Sequence, residues 1–276
     1  MTRPRIGVAL GGGSARGWAH IGVLEALADL GVVPDVVCGT SMGALVGAAH
    51  ATGHLAALHT WADALHWRGM ARLLDVRIAR GGLIDGARIE TLLAKHGIVG
   101  DIEDCAVPFA AVATDIESGA EVWLRTGPIA RAVRASLGLP GIFTPAQVGS
   151  QWLLDGGLVN PVPVSAARAL GADLVIAVDV NSSRLWRSEP RAPRTMLERM
   201  RQWRASRPSY FEAMARAVTI MQVQITLARF ASEPADIVLV ANLSDVGPFQ
   251  FERAGAVIAE GRACVERSAQ ALRALA

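Results

Sequence analysis

The chain has 276 residues, 51% of them apolar and 19% charged, with a formal net charge of +2; so much apolar surface and so little charge exclude an intrinsically disordered chain. Its 28 glycines follow no three-residue period, which excludes collagen. Three scattered cysteines (Cys38, Cys105, Cys264) exclude a disulfide framework or a cysteine-based zinc site and fit a reducing compartment.

Ile6–Leu10 is a continuous apolar run ending in glycines, the pattern of a strand buried on both faces. Between Trp18 and Leu30 the residues Ile21, Leu24, Leu27 and Ala28 recur at helical spacing, and Gly31 closes that helix. A short strand over Asp35–Cys38 and a helix from Met42 to Thr52 follow. Further strands are predicted at Phe109–Thr114, Glu121–Leu124, Trp152–Leu154, Leu174–Val178 and Ile237–Val240. Helices are predicted near 86–96, 128–136, 161–170 and 249–274, with a long helix beginning near Tyr210. In that helix Phe211, Met214, Val218, Met221 and Ile225 form an apolar seam expected to pack in the core. At about two heptads it is too short for a coiled-coil dimer. Strands alternating with helices predict an α/β fold, a mostly parallel sheet covered on both faces, in one domain spanning 1–276.

The stretch from Val36 to Ala62 carries no formal charge, and the mean hydropathy is +0.33. Yet His50, His54, His59 and the run Gly39-Thr40-Ser41-Met42-Gly43 do not suit a lipid-facing helix. The first apolar segment stops at Gly11, too short for the core of a signal peptide. The expectation is a soluble, cytoplasmic chain without signal peptide or membrane span. Residues 184–207 hold eight Arg and two Glu, so the rest of the chain is net acidic. This stretch reads as part of a variable basic helical insertion at about 182–234. Met196, Met200 and Trp203 fall on one face of it, which suits an ordinary packing helix or peripheral contact with an anionic membrane. No nucleic-acid module is present. His50, His54, His59 and Asp63 lack the glutamate of a zinc-protease motif, so no metal is expected, and nothing points to a cofactor.

Two glycine-rich turns carry the chemistry. Gly11-Gly12-Gly13-Ser14-Ala15-Arg16-Gly17 lies between a strand and a helix, where exposed N–H groups and the helix dipole favour an anion. Arg16 breaks the dinucleotide pattern, and Trp18 and Ala19 break the Walker pattern. An oxyanion hole for acyl transfer and a purely structural turn both remain open for this loop. Gly39-Thr40-Ser41-Met42-Gly43 matches Gly-x-Ser-x-Gly between a strand and a helix, the setting of a nucleophile elbow with Ser41 as nucleophile. All six histidines lie in the first hundred residues, so none follows a plausible late acidic residue as the α/β-hydrolase order Ser, Asp, His requires. His20, on the helix after the first loop, suits a structural role. Among the acids, Asp155 is best placed, ending the apolar run Trp152-Leu153-Leu154 before Gly156-Gly157, while by itself it reads as an ordinary Asp-Gly turn. Trp61, Trp67 and Met70 suit the core, or the lining of an acyl cleft.

Together, Gly-Gly-Gly-Ser-Ala-Arg-Gly, Gly-Thr-Ser-Met-Gly and Asp-Gly-Gly resemble the motifs of the patatin-like phospholipases. Leu139-Pro140-Gly141-Ile142-Phe143 and Asn160-Pro161-Val162-Pro163 are similar to the short bacterial RssA-type branch, and residues 182–234 match least. The resemblance implies a three-layer α/β/α patatin-like fold and a Ser–Asp dyad, with Ser41 the nucleophile and Asp155 the base. It implies an oxyanion hole in the Gly11, Gly12, Gly13, Ser14, Arg16 loop, with Arg16 adding positive potential or fixing the loop. The implied activity is acyl-enzyme hydrolysis of a lipid or fatty-acyl ester, of phospholipase A, lysophospholipase or carboxylesterase type. The alternative is a regulatory or adaptor protein that keeps the fold with little turnover.

Overall fold

The computed structural model describes residues 3–65, 86–184 and 210–275. Most of the Arg-rich stretch, with Met196, Met200 and Trp203, lies outside the described residues, as do Trp67 and Met70. In chain order, the first elements are β1 (Ile6–Leu10), a 3-10 turn (Ser14–Trp18), α1 (Ala19–Asp29), β2 (Val36–Thr40), α2 (Met42–Ala51), α3 (Leu55–Asp63) and α4 (Ala87–Lys95). Then come β3 (Phe109–Asp115), β4 (Glu121–Leu124), α5 (Ile129–Ser136), β5 (Ala146–Val148), β6 (Gln151–Asp155), a 3-10 turn (Gly156–Leu158), α6 (Val164–Ala169) and β7 (Leu174–Asp179). The last are α7 (Tyr210–Ser232), β8 (Ile237–Val240), α8 (Ala254–Arg267) and α9 (Ala269–Arg273).

Eight strands form one mixed sheet in the order β5-β6-β3-β2-β1-β7-β8, with β4 paired to β3. The pairs β1–β2, β1–β7, β2–β3 and β7–β8 are parallel, and β4, β5 and β6 pair antiparallel. Strand alternation divides the interior into two cores. Ile6, Val8, Leu10, Val37, Phe109, Ile176 and Val178 face a larger core that also takes in residues of α1, α2, α3, α5 and α8. Ala9, Val36, Cys38, Ala110, Val112, Val175 and Ala177 face a smaller one with Val164, Ala166 and Ala167 of α6. Bulky residues on one face and small ones on the other thus give three α/β/α layers, with the small face letting α6 lie close to the sheet.

One irregularity in this sheet positions the site. Ala111 and Val112 pair with β2 and with β4 at once, so those two strands flank opposite edges of β3. Ala113 and Thr114 pair with β4 and with β6, so β6 lies on the β2 edge. Thr40 of β2 stands opposite Val112, and Asp155 of β6 stands opposite the next residue, Ala113. Strands β2 and β6 therefore arrive from opposite directions and end against each other on one edge of β3.

Several expectations are corrected. Strand β5 and helix α3 were not predicted. The helix expected over 249–274 divides into a 3-10 turn (Phe251–Arg253), α8 and α9. The helix expected near 161 begins only at Val164, because Pro161 and Pro163 lack the N–H groups and fix the backbone. The apolar seam of α7 is not core: Met214 and Met221 are exposed, Val218 and Ile225 are half-buried, and the buried positions are Thr219, Gln222, Val223 and Thr226. The side chain of Phe211 lies outside the described residues. The inner face of α7 covers polar loops, so its buried side chains are largely polar. Among the described residues no helix is long and apolar enough to cross a membrane.

Candidate active site

The turn from β2 into α2 puts Ser41 at φ 56° and ψ −121°, a left-handed conformation that is rare outside glycine. Its neighbours make this turn possible by their size. A Cβ on Gly39 would stand 2.3 Å from the carbonyl oxygen of Gly43, and one on Gly43 would stand 2.1 Å from that of Leu10. None of the glycines of the three motifs is itself left-handed; the positive φ values fall on Ser14 and Ser41. Gly156 and Gly157 likewise allow close approach, since a Cβ there would stand 2.2 Å from the Val112 carbonyl oxygen and 2.3 Å from Gln222 Nε2. Met42 opens α2, whose N-terminal dipole favours negative charge developing on the Ser41 hydroxyl.

Ser41 Oγ donates to Asp155 Oδ2 at 2.7 Å. Asp155 Oδ1 accepts the Gly157 N–H at 2.7 Å, and the Asp155 carbonyl accepts from Thr114 Oγ1 at 2.8 Å. Both residues are buried, with Ser41 7% and Asp155 1% exposed. Burial pushes the Asp155 carboxyl up to about 6, while the bonds from Ser41 and Gly157 pull it down. A carboxylate that takes up a proton near pH 6 is a far better base than one near the ordinary value of about 3.9.

Around this pair the chain is tied back at many points. Thr40 Oγ1 donates to the Asn160 carbonyl at 2.8 Å, and Gly12 N–H donates to the adjoining Pro161 carbonyl at 2.9 Å. One loop thus fixes both the elbow and the glycine-rich turn. Ser136 Oγ accepts the Ser41 N–H at 2.8 Å and donates to the Val112 carbonyl at 2.6 Å.

The N–H groups of the glycine-rich turn differ in whether they are already bonded. Gly11 N–H already donates to Val178 O at 3.0 Å, and Gly12 N–H to Pro161 O, so these two shape the loop. His20 Nε2 sits 2.7 Å from Gly11 O, and burial lowers its pKa to about 4, leaving a neutral ring that donates to that carbonyl. Asn181 Nδ2 donates to Gly12 O at 2.8 Å. A trans peptide points its C=O and N–H in opposite directions, so holding Gly12 O turns the Gly13 N–H the other way. Gly13 O likewise accepts Arg16 N–H at 3.1 Å, which turns the Ser14 N–H away. Neither N–H finds an acceptor among the described residues, and both residues line the pocket containing Ser41 and Asp155. Arg16 is 1% exposed and binds Asn181 Oδ1 through Nε at 3.0 Å and Nη2 at 2.6 Å. It fixes the loop.

The pocket is completed by Leu139, by Ala215, Val218, Thr219 and Gln222 of α7, and by Pro248 and Phe249. Its volume is about 20 Å³, room for roughly one water. Helix α7 is held at its far end by Arg229, which donates to the Val159 carbonyl at 2.8 Å and to Glu121 Oε2 at 2.7 Å. Trp61 stands apart from this pocket, packed edge-on against Trp18 with ring centroids 5.5 Å apart. Among the described residues no group of three or more His, Cys, Asp or Glu could hold a metal ion.

Sequence reasoning missed Ser136, Asn181, Thr219 and Gln222. Thr219 and Gln222 lie in 182–234, where the resemblance is weakest.

The family model for patatin-like phospholipases matches residues 8–168. An uncharacterized NTE family protein of Mycobacterium tuberculosis is 33% identical over 335 aligned positions, covering 98% of this chain and 92% of that protein. Human patatin-like phospholipase domain-containing protein 6 is 37% identical over 189 positions, covering 66% of this chain and 14% of that protein. Among solved structures, VipD from Legionella pneumophila aligns with a TM-score of 0.50 at 13% identity, covering 98% of this chain and 67% of that chain, a likeness of fold alone.

Proposed function

The chain belongs to the patatin-like phospholipase family, a family of lipid hydrolases, and we propose that it is a serine acyl hydrolase with a Ser41–Asp155 dyad. The observation that carries this reading is the 2.7 Å bond from Ser41 Oγ to a buried carboxylate whose pKa is raised to about 6.

In the proposed reaction Asp155 takes the Ser41 proton as Oγ attacks the ester carbonyl. The developing oxyanion is held by the Gly13 and Ser14 N–H groups, a donor pair turned toward it before the reaction begins. Collapse of the intermediate breaks the bond to the leaving alcohol, which receives the proton from Asp155 and departs. Water then attacks the acyl-enzyme, Asp155 takes its proton, and the proton returns to Ser41 Oγ as the fatty acid leaves.

The substrates proposed are carboxylic esters of phospholipid or lysophospholipid. Apolar Leu139, Ala215, Val218, Pro248 and Phe249 suit an acyl chain, and a cavity of about 20 Å³ admits one only after α7 or the Pro248–Phe249 segment shifts. We read residues 1–276 as one domain, because α7, within the expected insertion, forms a wall of this pocket.

A panel of phospholipid, lysophospholipid and p-nitrophenyl esters of graded chain length tests the proposal, with Ser41→Ala as control. Turnover abolished by that substitution is expected. Turnover that survives it, or none on any ester, contradicts the proposal, and the second outcome favours the regulatory alternative.

A further inference from the structure

We infer that Gln222 is a positioning residue for deacylation, holding the water that hydrolyses the acyl-enzyme. This inference rests on the proposed function and adds a third side chain to it.

Helix α7 turns a polar row toward the pocket: Thr219, Gln222 and Thr226 are 9%, 8% and 3% exposed. The two threonines satisfy their hydroxyls on their own helix, Thr219 on Ala215 O at 2.9 Å and Thr226 on Gln222 O at 2.8 Å. Gln222 is different, because its amide reaches the site.

The orientation of that amide follows from its neighbours. Arg16 can only donate, and two of its N–H groups fall on one oxygen of Asn181, which must therefore be Oδ1. The other end of Asn181 is then the NH₂ group, which donates to Gly12 O at 2.8 Å and reaches Gln222 at 3.4 Å. Gln222 must present its Oε1 there, so its Nε2 hydrogens point to the opposite side. On that side lies Gly157: a Cβ built on it would fall 2.3 Å from Gln222 Nε2 and 3.0 Å from Asp155 Oδ1. Both atoms pack against Gly157, so Nε2 and Oδ1 are near enough to each other for a single water in the adjoining pocket to accept from one and donate to the other.

Nε2 has no acceptor among the described residues and faces the pocket rather than being sealed in the core. The pocket that Gln222 shares with Ser41 and Asp155 has room for about one water.

The two half-reactions use this arrangement differently. During acylation Ser41 Oγ itself delivers a proton to Asp155, and Gln222 has no part. Once Oγ is esterified, it can no longer donate to Oδ2, and the water beside Nε2 becomes the proton donor to the carboxylate. The water oxygen bonds to the acyl carbon and its proton passes to Asp155. The bond from carbon to Oγ then breaks, and the proton returns to Oγ.

Stopped-flow kinetics with p-nitrophenyl butyrate on the full chain, combined with intact-protein mass spectrometry, tests this. Gln222→Met and Gln222→Leu each remove the donor without adding a charge beside Asp155. In both, acylation is expected to keep its wild-type rate while steady-state turnover falls roughly 10-fold or more and the butyryl-enzyme accumulates. Hydroxylamine, a strong nucleophile that needs no placing, is expected to restore turnover. Turnover that falls without an accumulated acyl-enzyme, or that does not change, overturns the inference. Acylation persisting in Ser41→Ala would overturn the underlying function instead.

Discussion

Ser136 holds Ser41 from behind, its hydroxyl accepting the Ser41 N–H at 2.8 Å and passing a hydrogen bond of 2.6 Å to the Val112 carbonyl. Val112 stands where β2 stops and β6 begins along the edge of β3. A ladder of strands leaves backbone groups unpaired at such a break, and this one side chain joins two of them across it. Ser136 is completely buried. Replacing it by alanine strands a donor and an acceptor away from water, so Ser136→Ala is expected to lose about 1–3 kcal/mol of stability. Equilibrium urea unfolding measures the loss, and a change within a few tenths of a kcal/mol contradicts the assignment.

The raised Asp155 carboxyl predicts a pH profile. Only the ionised form accepts the Ser41 proton, so kcat/KM on a non-ionising ester rises with pH through about 6 and levels off above it. A flat profile between pH 5 and 8, or an inflection at the ordinary carboxylate value of about 3.9, contradicts it.

Stability runs in the opposite direction. In the unfolded chain Asp155 titrates near 3.9, and in the folded chain near 6, so between these values the native state holds a proton that the unfolded state has released. That contribution is fully present below about pH 4 and is lost as pH rises through about 6. Asp155→Asn lacks this loss. The variant is expected to be inactive and, at pH 8, up to about 3 kcal/mol more stable relative to wild type than it is at pH 4. Paired denaturation curves at the two pH values check the sign.

Asn181 predicts a catalytic effect without a catalytic contact. Its side chain holds the Gly12 carbonyl, which turns the next N–H toward the site, and it anchors Arg16. Asn181→Ala lets that peptide rotate. A drop in kcat of roughly 10-fold or more with little change in KM is expected, because the loosened donor acts chiefly on the transition state. Equal losses in kcat for esters and in general stability-dependent solubility would instead mark a packing role.

The frame of the molecule was legible in the sequence because its parts are local. Continuous apolar runs marked β1, β3 and β7, and glycines flanked Ser41 at the spacing a sharp turn requires. The order of the three motifs also carried the pairing of Ser41 with Asp155. The supporting shell was not legible, since Ser136, Asn181 and Gln222 act through contacts between parts of the chain far apart in sequence. Which N–H groups of the glycine-rich turn are already bonded was not legible either, because that depends on the partners of Gly11 and Gly12, Val178 and Pro161, far along the chain. Helix α7 misled for a different reason: its apolar period is genuine, but the surface beneath it is polar, so the apolar residues were left outside.

Labelling with a fluorophosphonate probe, followed by peptide mapping, tests the central claim most directly. The account predicts one modified residue, Ser41, with no labelling in Ser41→Ala and slowed labelling in Asp155→Asn. Labelling that persists in Ser41→Ala, or that maps to another serine, would contradict it.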